Sequence, residues 1–297
     1  MKDIAFTIDR EEKLSEFLKR QLFSRNLFFD SVRKGALILN GHVVEHDLYV
    51  HLGDELRYII PREKNRYTFD RTEMTVLYEN DDVLALDKPM NLSMMPDEEG
   101  SVAERVAYLF YERGIESKVR FVTRLDKDTS GIVLVAKHAY AHGRLMKEDD
   151  RGNVHKFYTA VLEGCVDREI LVDAPILREK REIKSTVDCA GKEARTRIFP
   201  MLSSETMSLV RVELLTGRTH QIRVHAASIG HPVVGDELYG HGGAVAQLLH
   251  ASEMFFPDRM GQMIEVHSPL RDEMIAIENA MKEGEERLHF VHHGAII

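Results

Sequence analysis

Apolar positions in the first sixty residues follow two different periods. Leu14, Phe17, Leu18 and Leu22 recur at helical spacing, with Glu11, Lys13, Glu16, Lys19 and Arg20 largely on the other face, so residues 11–22 are expected to form an amphipathic helix. A shorter apolar segment, 27–32, runs into Arg33-Lys34-Gly35, which reads as a helix end with a glycine cap. Residues 36–39 and 42–44 then flank Asn40-Gly41. Both turn residues accept the positive φ of a type I′ turn, so a β-hairpin is expected here. Residues 52–56 read as a turn into a strand over 56–60, and the polar run 61–66 reads as a linker.

From residue 67 onward the texture changes. Residues 76–78 and 83–87 flank Asn80-Asp81-Asp82 as a second hairpin, and 102–113 has helical spacing. Residues 132–136 fit a buried strand, with a helix over 139–148 after it. Residues 156–162, 195–199 and 209–215 alternate like strands, and 219–229 reads as a helix ending at Gly230. Strands do not alternate strictly with long helices, which disfavours a doubly wound parallel sheet. The pattern predicts an α+β fold: a mixed, mainly antiparallel sheet flanked by helices over 67–297, with a small α/β appendage over 1–66. No internal repeat or low-complexity tract is visible.

Composition narrows the class. The 297 residues are 43% hydrophobic and 30% charged, a balance that argues against global disorder. The longest uncharged apolar runs, such as 131–136, fall far short of the ~20 residues needed to cross a bilayer. The N-terminus leads straight into a charged, helix-like stretch without the apolar core of a secretory signal, so a cytoplasmic protein with no membrane partner is expected. Two cysteines, Cys165 and Cys189, cannot build a disulfide framework or a four-thiolate zinc site and read as reduced thiols. The net charge of −9 disfavours indiscriminate binding to nucleic acid. Its distribution is uneven, however: residues 1–66 hold 12 basic and 11 acidic side chains, 178–223 hold 10 and 6, and 242–297 hold 4 and 9. An acidic chain can still present a basic surface.

Three segments carry candidate chemistry. In Thr123-Arg124-Leu125-Asp126-Lys127-Asp128-Thr129-Ser130-Gly131, extended geometry turns Arg124 and Asp126 to one face and Leu125 to the other. A carboxylate then sits beside a guanidinium at the lip of a buried strand. Thr216-Gly217-Arg218-Thr219-His220-Gln221-Ile222-Arg223-Val224-His225 crowds two arginines, two histidines and a glutamine around a strand-to-helix transition. Lys156-Phe157-Tyr158-Thr159-Ala160 puts an aromatic ring on a strand. Each alone also has an ordinary structural reading: a surface ion pair, helix capping by Thr side chains, and packing, respectively. There is no phosphate loop, dinucleotide fingerprint or His/Cys metal spacing, and the glycines at 240, 242 and 243 read as loop, so neither cofactor nor metal is expected. A two-carboxylate glycosidase would need a second acid opposing Asp126, and Asp128 is too close in sequence to supply it.

Taken together and in this order, the segments resemble the large-subunit (RluA/RluC/RluD-type) family of RNA pseudouridine synthases. The resemblance rests on Arg-Leu-Asp-x-x-Thr-Ser-Gly at 124–131, Lys-x-Tyr-x-Ala at 156–160, Gly-Lys-x-Ala-x-Thr at 191–196 and Gly-Arg-Thr-His-Gln-Ile-Arg-Val-His at 217–225. Shorter stretches agree: Leu86-Asp87-Lys88-Pro89, Asp173-Ala174-Pro175-Ile176, His231-Pro232-Val233-Val234-Gly235-Asp236 with Tyr239-Gly240, and Leu249-His250-Ala251. It spans about residues 75 to 270.

The resemblance implies a cofactor-free reaction in which the N1–C1′ bond of a uridine within RNA breaks and the uracil is rejoined through C5. It implies that Asp126 is the essential carboxylate, as nucleophile or base, and that Arg223 pairs with it and favours its charged form. Tyr158 corresponds to the aromatic that stacks on the target uracil. Arg124 corresponds to the residue that fills the stack when the uridine swings out. Ile222 and Val224 read as core. Thr123 departs from the family's usual His, which removes any contact that His would make. Residues 1–66 resemble an S4 RNA-binding domain through Leu14, Leu18, Ser24-Arg25, Arg33-Lys34-Gly35, Leu39-Asn40-Gly41 and Leu52-Gly53-Asp54. His42, His46, His51, His292 and His293 read as surface or tail residues. The expected partner is RNA, specifically large-subunit ribosomal RNA, bound by a monomer. The rivals are a tRNA-directed synthase and a non-catalytic RNA-binding or ribosome-assembly factor on the same fold.

Overall fold

The computed structural model describes residues 3–98, 100–179, 182–243 and 246–283, and the backbone of 290–291 and 295–296. His292 and His293 lie outside the described residues.

The N-terminal unit comprises β1 (Asp3–Thr7), β2 (Glu12–Lys13), α1 (Leu14–Arg20), α2 (Arg25–Arg33), β3 (Leu37–Leu39), β4 (His42–Val43), β5 (Tyr49–Val50) and β6 (Glu55–Ile59). Asn40 (φ 48°) and Gly41 (φ 86°) take the left-handed backbone of the hairpin turn and set β3 antiparallel to β4. The sheet order is β1-β6-β3-β4. α1 is shorter than the apolar spacing suggests, because Glu12 and Lys13 pair with β5 and the Leu14 amide bonds to the Leu48 carbonyl. Strand pairing thus takes the backbone groups that an earlier helical turn would need. α1 ends in a Schellman motif with Leu22 at φ 64°, closed by the Phe23 and Leu22 amides on the Leu18 and Lys19 carbonyls. β1 was hidden in the sequence, since five residues show little period. Leu14, Phe17, Leu18, Phe23, Leu37, Leu56 and Tyr58 form a core of their own, completed from outside the unit by Tyr140.

The second unit comprises β7 (Val76–Glu79), β8 (Val83–Lys88), α3 (Val102–Glu112), β9 (Arg120–Phe121), β10 (Ser130–Ala136), α4 (Ala139–Asp150), β11 (His155–Glu163), β12 (Ile170–Asp173), β13 (Ile176–Leu177) and β14 (Thr186–Val187). It continues with β15 (Arg195–Ser203), β16 (Met207–Leu214), α5 (Gln221–Ser228), β17 (Leu249–Pro257), β18 (Met263–His267) and α6 (Asp272–Glu283). Its large sheet runs β12-β15-β16-β11-β17-β10-β8-β7, with β18 beside β17 and β9 beside β10. The fold is α+β and mainly antiparallel; within this sheet only β10 and β17 pair in parallel. Alternate residues of β8 and β10 face opposite layers. Leu84, Leu86, Val133 and Val135 pack under α3 and α5, whereas Val83, Ala85, Ile132 and Leu134 pack under α4. Covered on both faces, β10 has no polar side, which explains its unbroken apolar run.

The parallel junction positions the candidate site. Gly131 lies at φ 104°, and a Cβ there would stand 2.3 Å from the Ala251 carbonyl oxygen, so only glycine lets β17 approach. Next to it, the Ser130 hydroxyl contacts His250 Nδ1 at 2.9 Å. The loop bearing Asp126 enters β10 at this junction.

Candidate active site

Leu125 anchors the loop by burying its side chain in the core beside Ile222, leaving Arg124 exposed and Asp126 with 28% of its side chain accessible. This is the alternation expected from the extended sequence. Thr123, the departure from the family pattern, serves the backbone: its hydroxyl accepts the Leu134 amide at 2.9 Å and ties the loop to β10. Beneath the loop, the fully buried Lys88 ammonium donates to the carbonyls of Pro89 (2.9 Å), Lys127 (2.8 Å) and Thr129 (2.7 Å). Three donors meet three acceptors, so the charge is satisfied by backbone dipoles. Burial pushes the Lys88 pKa down to about 8, against the favourable charges of Asp128 and Asp126, and at neutral pH it is an ammonium.

The second wall is the start of α5. Gln221 uses its whole amide: it accepts from the Thr216 hydroxyl (2.8 Å) and the Arg218 amide (2.9 Å), and donates to the Arg195 carbonyl (2.9 Å) and the Thr196 hydroxyl (3.0 Å). This pins the helix start to β15. His220, just before it, is left-handed at φ 58°, so the helix begins two residues later than the apolar spacing suggests. One turn in, the buried Arg223 donates from Nε and Nη2 to Asp236 at 2.6 and 2.8 Å, and from Nη1 to Asp126 at 3.2 Å. Asp236 has no exposed side-chain surface, and its Oδ1 also accepts the amides of Leu238 (2.9 Å) and Tyr239 (3.0 Å).

Burial opposes both charges, yet their mutual hydrogen bonds prevail. Asp236 titrates below, and Arg223 above, its ordinary range. The Tyr239 hydroxyl accepts the Ser185 amide at 2.7 Å and shares a hydrogen bond with His220 Nδ1 at 2.9 Å. The other ring nitrogen of His220, Nε2, lies 3.9 Å from Asp126 Oδ1. Burial lowers the His220 pKa and keeps the ring neutral, with Asp126 opposing that shift and Arg223 reinforcing it.

Asp126 therefore projects from a polar bracket into a cleft of about 750 Å³. Tyr158 on β11 lines the same cleft, almost wholly buried; burial raises its hydroxyl pKa well above the ordinary value, and the Asp126 and Asp149 charges raise it further. Arg124, Arg178 and Arg218 stand exposed at the rim, which favours an anionic ligand. Among the described residues, no group of three His, Cys, Asp or Glu side chains is arranged to hold a metal ion. Cys165 and Cys189 are free thiols on the surface. One carboxylate paired with a guanidinium, a buried ring and a cationic rim suit covalent or base chemistry on a flat, anionic substrate.

Comparison with known proteins gives this arrangement a family. The family model for RNA pseudouridylate synthase matches residues 82–228, which include Asp126, Tyr158 and Arg223. An uncharacterized RNA pseudouridine synthase of Bacillus subtilis, YjbO, is 37% identical over 250 residues, covering 81% of this chain and 88% of that protein. The chain belongs to the RNA pseudouridine synthase family. It is accordingly an RNA pseudouridine synthase, acting on uridine in RNA. The ribosomal large subunit pseudouridine synthase D of Pseudomonas aeruginosa is 33% identical over 229 residues, covering 74% of this chain and 71% of that one. The solved structure of human RNA pseudouridylate synthase domain containing 1 shares the fold, with a TM-score of 0.58 at 23% identity over 73% of this chain and 98% of its own.

In this pseudouridine synthase the structure brings Asp126, Arg223 and Tyr158 to one cleft and sets Arg124 at its mouth. Ile222 and Val224 are buried, as expected of core residues. Sequence reasoning missed Lys88, Asp236, His220 and Tyr239. Three of these stand in stretches already noted for their resemblance, Leu86–Pro89 and His231–Gly240, and His220 lies within the 217–225 run. Nothing local distinguishes a buried lysine or aspartate from an exposed one, so that position in the pattern was the only available signal.

Proposed function

We propose that Asp126 is the essential carboxylate of the uridine-to-pseudouridine isomerisation and that the target uridine lies in large-subunit ribosomal RNA. The observation that carries the first part is the Arg223 bracket: a buried guanidinium, itself held by Asp236, aims one N–H at a carboxylate that opens into a basic-rimmed cleft. The carboxylate acts as nucleophile or base. The N1–C1′ bond breaks, the uracil turns, a C5–C1′ bond forms, the C5 proton leaves and N1 takes up a proton, so the product is an isomer of the starting uridine. Tyr158 supplies the ring against which the uracil stacks. Arg124 enters the space left when the uridine swings out of the RNA, where a planar guanidinium can stack and donate at once.

The ribosomal assignment draws support from the name of the Pseudomonas relative and from the N-terminal unit, which we read as S4-like. Arg25, Phe29 and Arg33 recur along one face of α2, with Arg25 5.7 Å over the Phe29 ring. Phe29 and Arg33 border a groove of about 640 Å³ between α2 and α4. His142 lines both this groove and the cleft, so one RNA could follow a continuous path from the N-terminal unit to Asp126. Pseudouridine mapping of ribosomal and transfer RNA from cells lacking the protein tests the proposal. A discrete large-subunit site is expected to vanish and to return with the wild type but not with Asp126→Asn. Restoration by the mutant would overturn the role of Asp126; a lost site in transfer RNA would overturn the ribosomal assignment.

A further inference from the structure

A row of aromatic rings leads away from the cleft, beginning with Tyr67 and Phe69, which precede the family's matched segment, and continuing onto α3 within it. Tyr67 lines the cleft, with its hydroxyl 3.9 Å from the sulfur of Met95 on the same wall. Two residues on, Phe69 is 48% exposed and lies against two rings of α3: Tyr111 at 5.2 Å and Tyr108 at 6.0 Å between centroids. Tyr108 and Tyr111 are one turn apart on the outward face of α3, tilted 28° from each other, and Tyr111 is 68% exposed. The inward face of that helix is spent on the core through Val102, Val106 and Phe110.

The rings are held rather than left to move. Thr68 hydrogen-bonds to Glu104, and Arg105 pairs with Asp70 at 2.8 Å, clamping residues 68–70 onto α3. The charge around them is positive. Residues 61–71 hold four basic and two acidic side chains, and the two acids, Glu63 and Asp70, are already paired with Arg120 and Arg105. Lys64, Arg66 and Arg71 are exposed; among the described residues none of the three has an ion-pair partner, and Arg71 lies 5.7 Å over the Tyr108 ring. Glu112 adds a carboxylate beside Tyr108.

We propose that Phe69, Tyr108 and Tyr111, with Lys64, Arg66 and Arg71, form a stacking platform for a single-stranded stretch of the RNA substrate where it leaves the cleft. The two features belong together for a nucleic acid: bases stack on exposed rings irrespective of sequence, and cations beside them track the phosphates. An apolar protein partner would have little use for three cations interleaved with the rings. Continuity through Tyr67 places the occupant, since RNA with a uridine at Asp126 must pass out of the cleft along one of its walls. The inference rests on that placement of the uridine.

The full chain contains no tryptophan, so Phe69→Trp or Tyr111→Trp introduces a single reporter at the platform. The probe is total RNA, tritiated at uridine C5, from cells lacking the protein. Turnover is read as tritium release and stacking as fluorescence quenching in the same samples. Quenching that weakens with salt is expected. Phe69→Ala with Tyr111→Ala is expected to raise KM roughly tenfold with kcat within about twofold. Arg66→Ala should lower the salt slope by about 0.7. Turnover without quenching, and with KM unchanged in the double variant, would overturn the platform and leave the placement of the uridine standing. Quenching that rises with protein concentration in the absence of RNA would mark the patch as a contact between copies and also overturn it. Tritium release undiminished by Asp126→Asn would remove the placement on which the inference rests, and the inference with it.

Discussion

Arg223 commits two of its N–H groups to Asp236, at 2.6 and 2.8 Å, before offering a third to Asp126 at 3.2 Å. The bidentate grip fixes the plane of the guanidinium, and that plane decides where the Asp126 carboxylate can sit. A lysine could place one charge near both acids but could not hold them in a common plane.

Removing either acid should therefore have opposite signatures. Asp236→Ala strands a buried guanidinium beside a single, partly exposed partner and is expected to cost about 3–5 kcal/mol of stability. Asp126→Asn leaves the Asp236 grip intact and is expected to change stability by under about 1 kcal/mol while turnover falls on the order of 10³-fold or more. Urea denaturation beside tritium release from C5-labelled RNA separates the two. Loss of stability in Asp126→Asn comparable to that in Asp236→Ala would contradict the division of labour.

Lys88 makes a pH-dependent contribution whose sign follows from its burial. Its folded pKa of about 8 lies below the ordinary lysine value of 10.5, so between these values the unfolded chain binds the extra proton. Stability from this group accordingly rises as pH climbs from about 8 to about 10.5, by roughly 3 kcal/mol in all, and the cost is present in full below pH 8. Lys88→Met removes the slope and leaves three carbonyls unpaired, an expected loss of roughly 3 kcal/mol at neutral pH. Denaturant midpoints of both proteins across that window should diverge as pH rises; parallel curves would refute the assignment.

Buried histidines act at the other end of the scale. His225 Nε2 bonds to the Ala174 carbonyl at 2.9 Å and Nδ1 to the Thr196 hydroxyl at 2.8 Å, a pairing that fits a neutral ring donating from Nε2. Burial lowers its pKa, and those of His142 and His250, below the ordinary value. The unfolded chain takes up these protons first, so stability is expected to fall as pH drops through about 6.5. His225→Gln preserves one donor and one acceptor; it should cost under about 1.5 kcal/mol near pH 7.5 and flatten the acid decline. Urea midpoints near pH 7.5 and pH 5.5 supply the comparison.

Tyr140 belongs to α4 but completes the N-terminal core, its ring centroid 4.5 Å from that of Phe23 and tilted 33° to it, with its hydroxyl on the Gln21 carbonyl at 3.0 Å. Tyr140→Ala is expected to cost about 3–5 kcal/mol, concentrated in residues 3–59. Hydrogen exchange should show protection lost in α1 and β6 and kept in β10 and β11. Uniform loss across both units would mean that they unfold as one.

Several features were legible directly in the sequence because their causes are local. Asn40-Gly41 sets a hairpin by the φ angles it permits, and the apolar run at 132–136 announces a strand covered on both faces. The alternation Arg124-Leu125-Asp126 separates core from cleft within three residues. These depend on neighbours a few positions away, and the same locality makes the long, ordered signature of the family readable without a fold. The rest was decided by contacts between distant segments. The parallel join of β10 to β17 depends on a glycine meeting a backbone 120 residues later, and β17 itself, Leu249–Pro257, is interrupted by polar residues that only its neighbours in the sheet explain. Lys88 and Asp236 look like any surface charge until three carbonyls close around one and a guanidinium around the other. Period and turn chemistry are written in adjacent residues, whereas the burial of a charge is set by whatever the whole chain folds against it.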